Sequence, residues 1–444
     1  MIASLKEADV SRAKIGGFDI DGVLRGKYVS LEKLQSALAK GFGFCDVIFG
    51  WDVADMLYDN VKVTGWETGY PDAHAVIDPK TLRLIPWEPG VAAFLCDFQD
   101  GSGKAHPACP RNLLKKVQSR AENMGFTPCF GAEFEFMFFK ETPDSLIEKG
   151  HRGLQPLDPG MFGYSWLRTG QDAELMDDIL SSMDDFAINI EGFHTETGPG
   201  IYECAIRFND VLEAADQAAL FKTSLKQIAY EHGLVASFMA KFSVDLPGAS
   251  GHLHQSLWRD GKNAFYDGSR KHGMSKTMRH YLAGQMALMQ DLTAVYSPTI
   301  NSYKRYAPGL WAPLVTSWGV DNRTCALRVV APDEPSSLRI ENRQTAADIN
   351  PYLAMAASLG AGLYGIEKQL ELSDMTQGDA GTDGPGKLPN TLKEATARFR
   401  KSRPVRQVLG NAFVDHYAAT REWEVREYEK AVTDWELRRY FETV

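Results

Sequence analysis

The stretch Gly131-Ala-Glu-Phe-Glu-Phe-Met-Phe-Phe139 alternates acids with aromatic residues. Successive side chains of a β-strand point to opposite faces, so Glu133 and Glu135 share one face while Phe134, Phe136 and Phe138 share the other. This is a half-buried strand that holds two carboxylates side by side. Ionised and about 5 Å apart, they repel by about 3 kcal/mol at an effective dielectric of about 20. That is a large share of the ~5–15 kcal/mol that separates folded from unfolded chains. The pattern therefore predicts a positive group between them; an exposed edge strand with both acids in water is the competing reading.

Further stretches repeat the pattern. Glu191-Gly-Phe-His-Thr-Glu-Thr-Gly-Pro-Gly-Ile-Tyr-Glu203 reads as two strands joined by a Gly-Pro-Gly turn, which lets Glu196 and Glu203 face one cavity. In Ser250-Gly-His-Leu-His-Gln-Ser256 the side chains of His252 and His254 share a face, and in Arg339-Ile-Glu-Asn-Arg343 alternation puts Arg339, Glu341 and Arg343 on one side. The carboxylates of Glu133, Glu135, Glu196, Glu203 and Glu341, with the imidazole of His252, make an oxygen-dominated set that suits Mg2+ or Mn2+ rather than zinc. With water completing the shells, such a set serves two adjacent ions that clamp a transferring phosphoryl group. Any one of these glutamates is an ordinary strand-surface acid; acids and histidines recurring together on so many alternating strands are not. Arg305, Arg323, Arg328, Arg339 and Arg343 add bidentate donors for carboxylate and phosphate. No Walker-type glycine loop occurs, so ATP would be held by cations and strand side chains.

The 444 residues, 44% hydrophobic and 11% aromatic, are enough for two or three domains. A net charge of −10 argues against nucleic acid or an anionic membrane as the main partner. The six cysteines are scattered with no C-x-x-C pair, which excludes a zinc knuckle or disulfide framework. The N-terminus lacks an apolar signal region, and the longest apolar run, 352–366, is too short to span a membrane. A cytoplasmic protein is expected.

Residues 15–29 predict two strands around a tight Asp21-Gly22 turn, and Ser30 predicts a capped helix to residue 40. Residues 41–70 read as irregular, and 74–98 again as strands. Together they give a small, mostly β N-terminal domain over 1–104, ahead of a larger domain over 105–444. Helices are predicted at 110–124, 173–182, 211–233, 275–296 and 421–440, with the rest of 140–180 and all of 374–389 as loop.

The chain resembles the glutamine synthetase superfamily of class I type over nearly its whole length. The motifs Gly-Ala-Glu-Phe-Glu-Phe, Glu-Thr-Gly-Pro-Gly-Ile-Tyr-Glu, Ser-Gly-His-Leu-His-Gln-Ser, Asn-Ser-Tyr-Lys-Arg and Arg-Ile-Glu-Asn-Arg carry the resemblance. It implies an α+β fold: a β-grasp-like N-terminal domain that contributes to the neighbouring subunit's active site, and a catalytic domain whose curved antiparallel sheet lines an open funnel. It also implies a hexameric ring or stacked-ring dodecamer. By the same resemblance Glu135, Glu196 and Glu203 are ligands of one metal, and Glu133, His252 and Glu341 of another. Glu191, Phe208, His254, Ser256, Arg328 and Arg339 match the nucleotide site. Gly248, Arg305 and Arg343 match the glutamate site, with Arg323 reaching the transferred phosphate.

Departures from the family pattern point to the acceptor. Ammonia-using members carry an acidic residue where this chain has Trp311, and their Phe-Asp-Gly-Ser-Ser stretch is here Phe49-Gly-Trp-Asp-Val53. A one-residue shift would let Asp52 replace the missing aspartate. An indole is no base, but it stacks on apolar groups and holds alkylammonium ions. The resemblance thus implies a glutamate–amine ligase similar to γ-glutamylpolyamine or γ-glutamylmonoamide synthetases, with Trp311 and Arg323 at the reacting end and Tyr164 and Asp52 as further amine-pocket candidates. Glutamine synthesis from ammonia and a non-catalytic family member are the alternatives. Ser336 replaces a nucleotide-site lysine, and the 374–389 loop lacks the adenylylated tyrosine motif of some class I enzymes.

Overall fold

The computed structural model describes residues 1–331, 333–381 and 386–444. It contains two sheets. The smaller is built from β1 (Arg12–Phe18), β2 (Leu24–Ser30), β3 (Phe42–Cys45), β4 (Asp72–Ile77), β5 (Arg83–Leu84) and β6 (Val91–Gln99). Their order is β2-β1-β6-β4-β3, with β5 on β6, and β1 runs parallel to β6. The Asp21-Gly22 connection is a five-residue loop rather than a two-residue turn, because Phe18 pairs with Leu24. The helix Leu31–Lys40 starts where Ser30 caps it, its hydroxyl accepting from Lys33 N. The region read as irregular contains β3 and a 3-10 turn at Asp46–Phe49.

The larger sheet contains β7 (Thr127–Phe139), β8 (Ile190–Thr195), β9 (Ile201–Ile206), β10 (Asn209–Asp210), β11 (Val235–Ser237), β12 (Gly251–Arg259), β13 (Lys262–Asn263), β14 (Trp318–Val320), β15 (Leu327–Val330) and β16 (Arg339–Asn342). Its main path is β14-β15-β16-β12-β7-β9-β8. It is antiparallel except at one edge, where β14 runs parallel to β15. The face of β7 carrying Phe134, Phe136 and Phe138 is fully buried. These rings pack on one another and on Phe221 and Phe238, with centroids 5.3–6.4 Å apart.

Behind that face lie the helices Val211–Glu231, Lys276–Tyr296 and Pro351–Lys368. The last is the apolar run of 352–366; apolar on all sides, it is buried on all sides. Gly284 and Gly365 let it cross Lys276–Tyr296 closely: a Cβ on Gly365 would lie 2.1 Å from His280 O, and one on Gly284 2.2 Å from Ala361 O. Two short helices, Pro143–Glu148 and Trp166–Gln171, interrupt the predicted loop of 140–180. The closing helix is two helices, Asn411–Lys430 and Asp434–Tyr440, because Thr433 and Glu436 form a capping box that starts a new one.

Buried ion pairs join the smaller sheet to the helix Val211–Glu231: Arg111, 3% exposed, bonds Asp97 at 2.8 Å and Asp78 and Asp216 at 2.9 Å. The helix Asn411–Lys430 binds the N-terminal region through Arg421 to Asp21 (2.5 Å), Trp423 to Asp52 (3.1 Å) and Asn60 to Ala419 O (2.8 Å).

Two buried histidines lie along that contact. Burial holds His106 down at about 4; burial, with help from His106 and Arg421, holds His416 down at about 3. Unfolded, both titrate near 6.5. The unfolded chain therefore binds more protons between these values, and stability, full above about pH 6.5, falls as pH drops toward 4, by at most ~1.4 kcal/mol per pH unit per histidine. His416→Phe is expected to flatten the slope of unfolding free energy against pH in that window by one proton's worth. Denaturant melts at a series of pH values check this, and an unchanged slope would contradict the assignment.

Candidate active site

The polar face of β7 opens into a cavity of about 310 Å3. Strand register builds it: Glu133 lies opposite His252 on β12, Glu135 opposite Glu203 on β9, and Glu203 opposite His194 on β8. On the other flank Glu341 of β16 lies opposite both His254 and Arg328. Glu133, Glu135, Glu203, His252 and Glu341 therefore converge because each has the right parity on its strand. Glu196 also lines the cavity, but from the turn after β8 and not from a strand. A larger groove, about 960 Å3 between Trp87 and Phe238, shares none of these residues.

The groups placed against Glu133 are imidazoles, which reach Glu341 rather than Glu135 on the other side. His252 Nδ1 lies 2.9 Å from Glu133 Oε1 and 3.4 Å from Glu341 Oε1, and His254 Nε2 lies 3.5 Å from Glu133 Oε2. Burial alone would raise the Glu133 carboxyl, but both histidines outweigh it and hold it well below its ordinary value. Burial likewise opposes ionisation of Glu341, yet His252 and Arg343 bring it to about 2. Arg343 Nη1 sits 2.5 Å from Glu341 and Arg328 Nη1 3.1 Å. Glu135 behaves oppositely: burial, reinforced by Glu203, pushes it up to about 7 although Ser250 N donates to it at 2.7 Å. The acids thus divide into a cation-matched group around Glu133 and Glu341 and an electrostatically unsatisfied group around Glu135.

The donor set fits divalent ions. Atoms of Glu133, His254 and Glu341 lie within 4.8 Å of one another, and Glu135 and Glu203 pair on the neighbouring strands of the same cavity. His252, the imidazole the sequence named, lies against the same two acids, and both imidazoles face Glu133.

Gly248, Arg323, Arg328, Arg343, Trp311 and Tyr164 also line the cavity. Arg323 makes no side-chain hydrogen bond or ion pair among the described residues. Arg305 lies beneath the wall, 2% exposed, donating to Ser250 Oγ at 2.9 Å; a Cβ on Gly248 would lie 2.6 Å from its Cγ. Of the nucleotide-site candidates, Arg328 lines the cavity and the others lie outside it. Ser256 follows His254 on the same face of β12, Arg339 Nε donates to His254 Nδ1 at 3.1 Å, and Phe208 covers Gly131. Glu191 is exposed on β8, 3.7 Å from Arg207. Asp52 does not line the cavity of its own chain: its carboxylate accepts from Ala54 N, Met56 N and Trp423 Nε1.

Two rim residues stand out. Trp311 (66% exposed) and Tyr164 (72% exposed) both have positive φ, +61° and +55°. Around Trp311 the chain makes a three-residue turn, Ala312 N donating to Leu310 O at 2.8 Å. Tyr164 stacks on His194 at 4.3 Å, and His194 Nε2 lies 3.0 Å from Glu203. Left-handed backbone at an aromatic residue costs about 1–3 kcal/mol and marks sites where function fixes a side chain. His194 had no assigned role from sequence, although its parity with Glu203 across the Gly-Pro-Gly turn was the available signal.

Residues 107–440 match the glutamine synthetase catalytic domain. The chain belongs to the glutamine synthetase family. It is 48% identical over 438 residues to type-1 glutamine synthetase 2 of Dictyostelium discoideum, covering 97% of this chain and 84% of that one. It is 40% identical to glutamate–isopropylamine ligase of a Pseudomonas species (99% and 97% covered) and 38% to γ-glutamylethanolamide synthetase of Streptomyces coelicolor (99% and 94%). Among solved structures, GmaS in complex with ADP superposes with a TM-score of 0.86 at 29% identity, covering 99% of each chain. Enzymes of the glutamine synthetase family are ATP-dependent ligases that use divalent metals, and no helix among the described residues is long and apolar enough to cross a membrane.

The charge imbalance is testable without turnover. With divalent ions chelated, Glu135→Gln is expected to melt above the parent, because Gln mimics the protonated acid. The gap should open between pH 4.5, the ordinary carboxyl value, and about 7, then stay constant, since only the parent pays for ionisation. Melting curves across this range check it; a parent as stable as the variant at pH 8 would refute it.

Proposed function

We propose that the protein is an ATP-dependent ligase joining the γ-carboxylate of L-glutamate to a primary amine other than ammonia. Trp311 carries this reading: the residue at the rim of the acid cavity is a strained, exposed indole and not a carboxylate. An indole takes no proton from ammonium, but its face accepts an alkyl group or alkylammonium. Tyr164 forms the second aromatic wall. Asp52 is assigned to holding its loop against Trp423, at a surface where residues 1–104 would complete a neighbouring subunit's cavity in a hexameric ring or stacked pair of rings.

Glu135, Glu196 and Glu203 would hold one divalent ion and Glu133, Glu341 and a histidine, His252 or His254, another. Those residues would hold Mg2+ or Mn2+, which would supply positive charge against the triphosphate. Glu191, Phe208, His254, Ser256, Arg328 and Arg339 form the path for ATP along the continuing strand faces. Arg305, Arg343 and the Gly248 backbone hold glutamate. Its γ-carboxylate oxygen attacks the γ-phosphorus, ADP departs, and the guanidinium of Arg323 stabilises the charge on the transferring group. The amine nitrogen then attacks the acyl carbon of γ-glutamyl phosphate, phosphate leaves and the nitrogen loses a proton. The set of uncompensated carboxylates has no structural use, which speaks against a non-catalytic role. We place the enzyme in the cytoplasm.

The 48% identical relative, named a glutamine synthetase, favours ammonia as the second reading. Phosphate release with glutamate, ATP and a panel of amines separates the two: an alkylamine is expected to give the highest kcat/KM, and ammonia doing so would overturn the proposal. Trp311→Ala is expected to raise the amine KM by up to about tenfold while the KM for glutamate stays within about twofold. Glu135→Ala should abolish phosphate release without disassembling the protein.

A further inference from the structure

Two elements that the ligase reading gives to glutamate meet at one buried lysine. Gly248 ends the segment Lys241-Phe-Ser-Val-Asp-Leu-Pro-Gly248, and Arg305 ends the 3-10 turn Asn301–Arg305. Lys241 is 5% exposed, does not line the acid cavity and forms no ion pair among the described residues. An ammonium buried without a counter-ion is costly unless its hydrogen bonds are fixed, and Lys241 Nζ donates to Leu246 O. The main chain of Lys241 is held from the other side: Lys241 N donates to Asn301 Oδ1 and Asn301 Nδ2 donates to Lys241 O, each at 2.8 Å.

The loop depends on that ammonium for its shape. Ala249 N donates to Ala240 O at 2.8 Å and closes the neck, but among the described residues no main-chain to main-chain hydrogen bond lies within 241–248. The tip is open to solvent, with Val244 85% exposed. Pro247 has no N–H, so the carbonyl of Leu246 is the only polar group by which the peptide unit between them can be held. Pro247 and Gly248, the next two residues, line the cavity. They have little room to move: a Cβ on Gly248 would lie 2.6 Å from both Ala240 O and Arg305 Cγ. Arg305 in turn donates to Ser250 Oγ at 2.9 Å, and Ser250 N donates to Glu135 at 2.7 Å.

Resting on the ligase reading, we infer that Lys241 is a positioning residue for the glutamate side of the site. Its ammonium clasps the 241–248 loop, and its main chain, through Asn301, ties that loop to the turn that carries Arg305. Gly248 and Arg305 are thereby set in place before substrate arrives, and binding does not have to order an exposed loop. The residues assigned to ATP on β12 and β16 bond to neither Lys241 nor Asn301. A lysine that only stabilised the fold would affect both substrates alike; this one acts on glutamate.

The test is steady-state phosphate release by the full-length protein at saturating acceptor, with glutamate and ATP varied in turn. Lys241→Met, which keeps the stem and removes the donor, is expected to raise the glutamate KM about tenfold, the size of one charge-assisted hydrogen bond, while the ATP KM stays within about twofold. Lys241→Arg should recover part of the loss. Asn301→Ala leaves the ammonium in place and should raise the glutamate KM in the same selective way, so it decides the matter should Lys241→Met not assemble. A glutamate KM unmoved in an assembled variant, or an ATP KM that rises equally, overturns the positioning role and leaves the ligase reading intact. A parent that releases no phosphate from ATP with glutamate and any amine overturns both.

Discussion

The pairing of Glu133 with His252 across β7 and β12 is the interaction on which the rest depends. Two carboxylates on one strand face repel, and the fold holds them by placing imidazoles and guanidinium groups opposite some and leaving others for a ligand. That placement is a matter of register. A slip of one residue would turn Glu133 and Glu135 into the core and expose Phe134, Phe136 and Phe138. Burial of the three rings is worth several kcal/mol at about 25 cal/mol per Å2, more than the repulsion they work against. The aromatic core therefore fixes the polar site, although no aromatic of β7 touches the cavity.

Alternation made the strand part of the site legible. Glu133, Glu135, Glu203, His252 and Glu341 obey the two-residue period and converge as that period requires. Glu196 was found by its motif, but its placement was not, because a turn residue has no parity. His194 obeyed the period and was still missed: nothing in one strand says which residue of the next it will face until β8 and β9 are registered around Gly198-Pro-Gly200. The buried helix Pro351–Lys368 was visible only as an apolar run, since a helix apolar on every side has no amphipathic signature. The break at Ala431–Thr433 was legible in principle from the Thr-x-x-Glu spacing and was overridden by the charged periodicity on either side.

The two electrostatic halves of the cavity have different consequences. Around Glu341 the negative charge is matched by Arg328 and Arg343, so this carboxylate is ionised and fixed before any ligand arrives. Around Glu135 it is not, and ionisation of that acid competes with burial. A site of this kind stores electrostatic cost in one place and spares it in another, and a cation binding there relieves what the protein alone does not.

Identity over whole chains cannot by itself decide the acceptor. The chain is 48% identical to a protein named as a glutamine synthetase and 40% identical to one named as an isopropylamine ligase, and both matches run through the same sheet. Strands that hold metals, nucleotide and glutamate are needed whichever nitrogen attacks, so they contribute similarity without discrimination. Discrimination falls to loops carried by the scaffold. Here those loops present two aromatic side chains from left-handed backbone, Trp311 and Tyr164, one in the Leu310–Ala312 turn and the other stacked on His194, which contacts Glu203. Strain that costs about 1–3 kcal/mol per residue persists only where the surroundings enforce it. The proposed preference for a nucleophile with an organic substituent rests on an apolar rim enforced in this way beside a set of carboxylates.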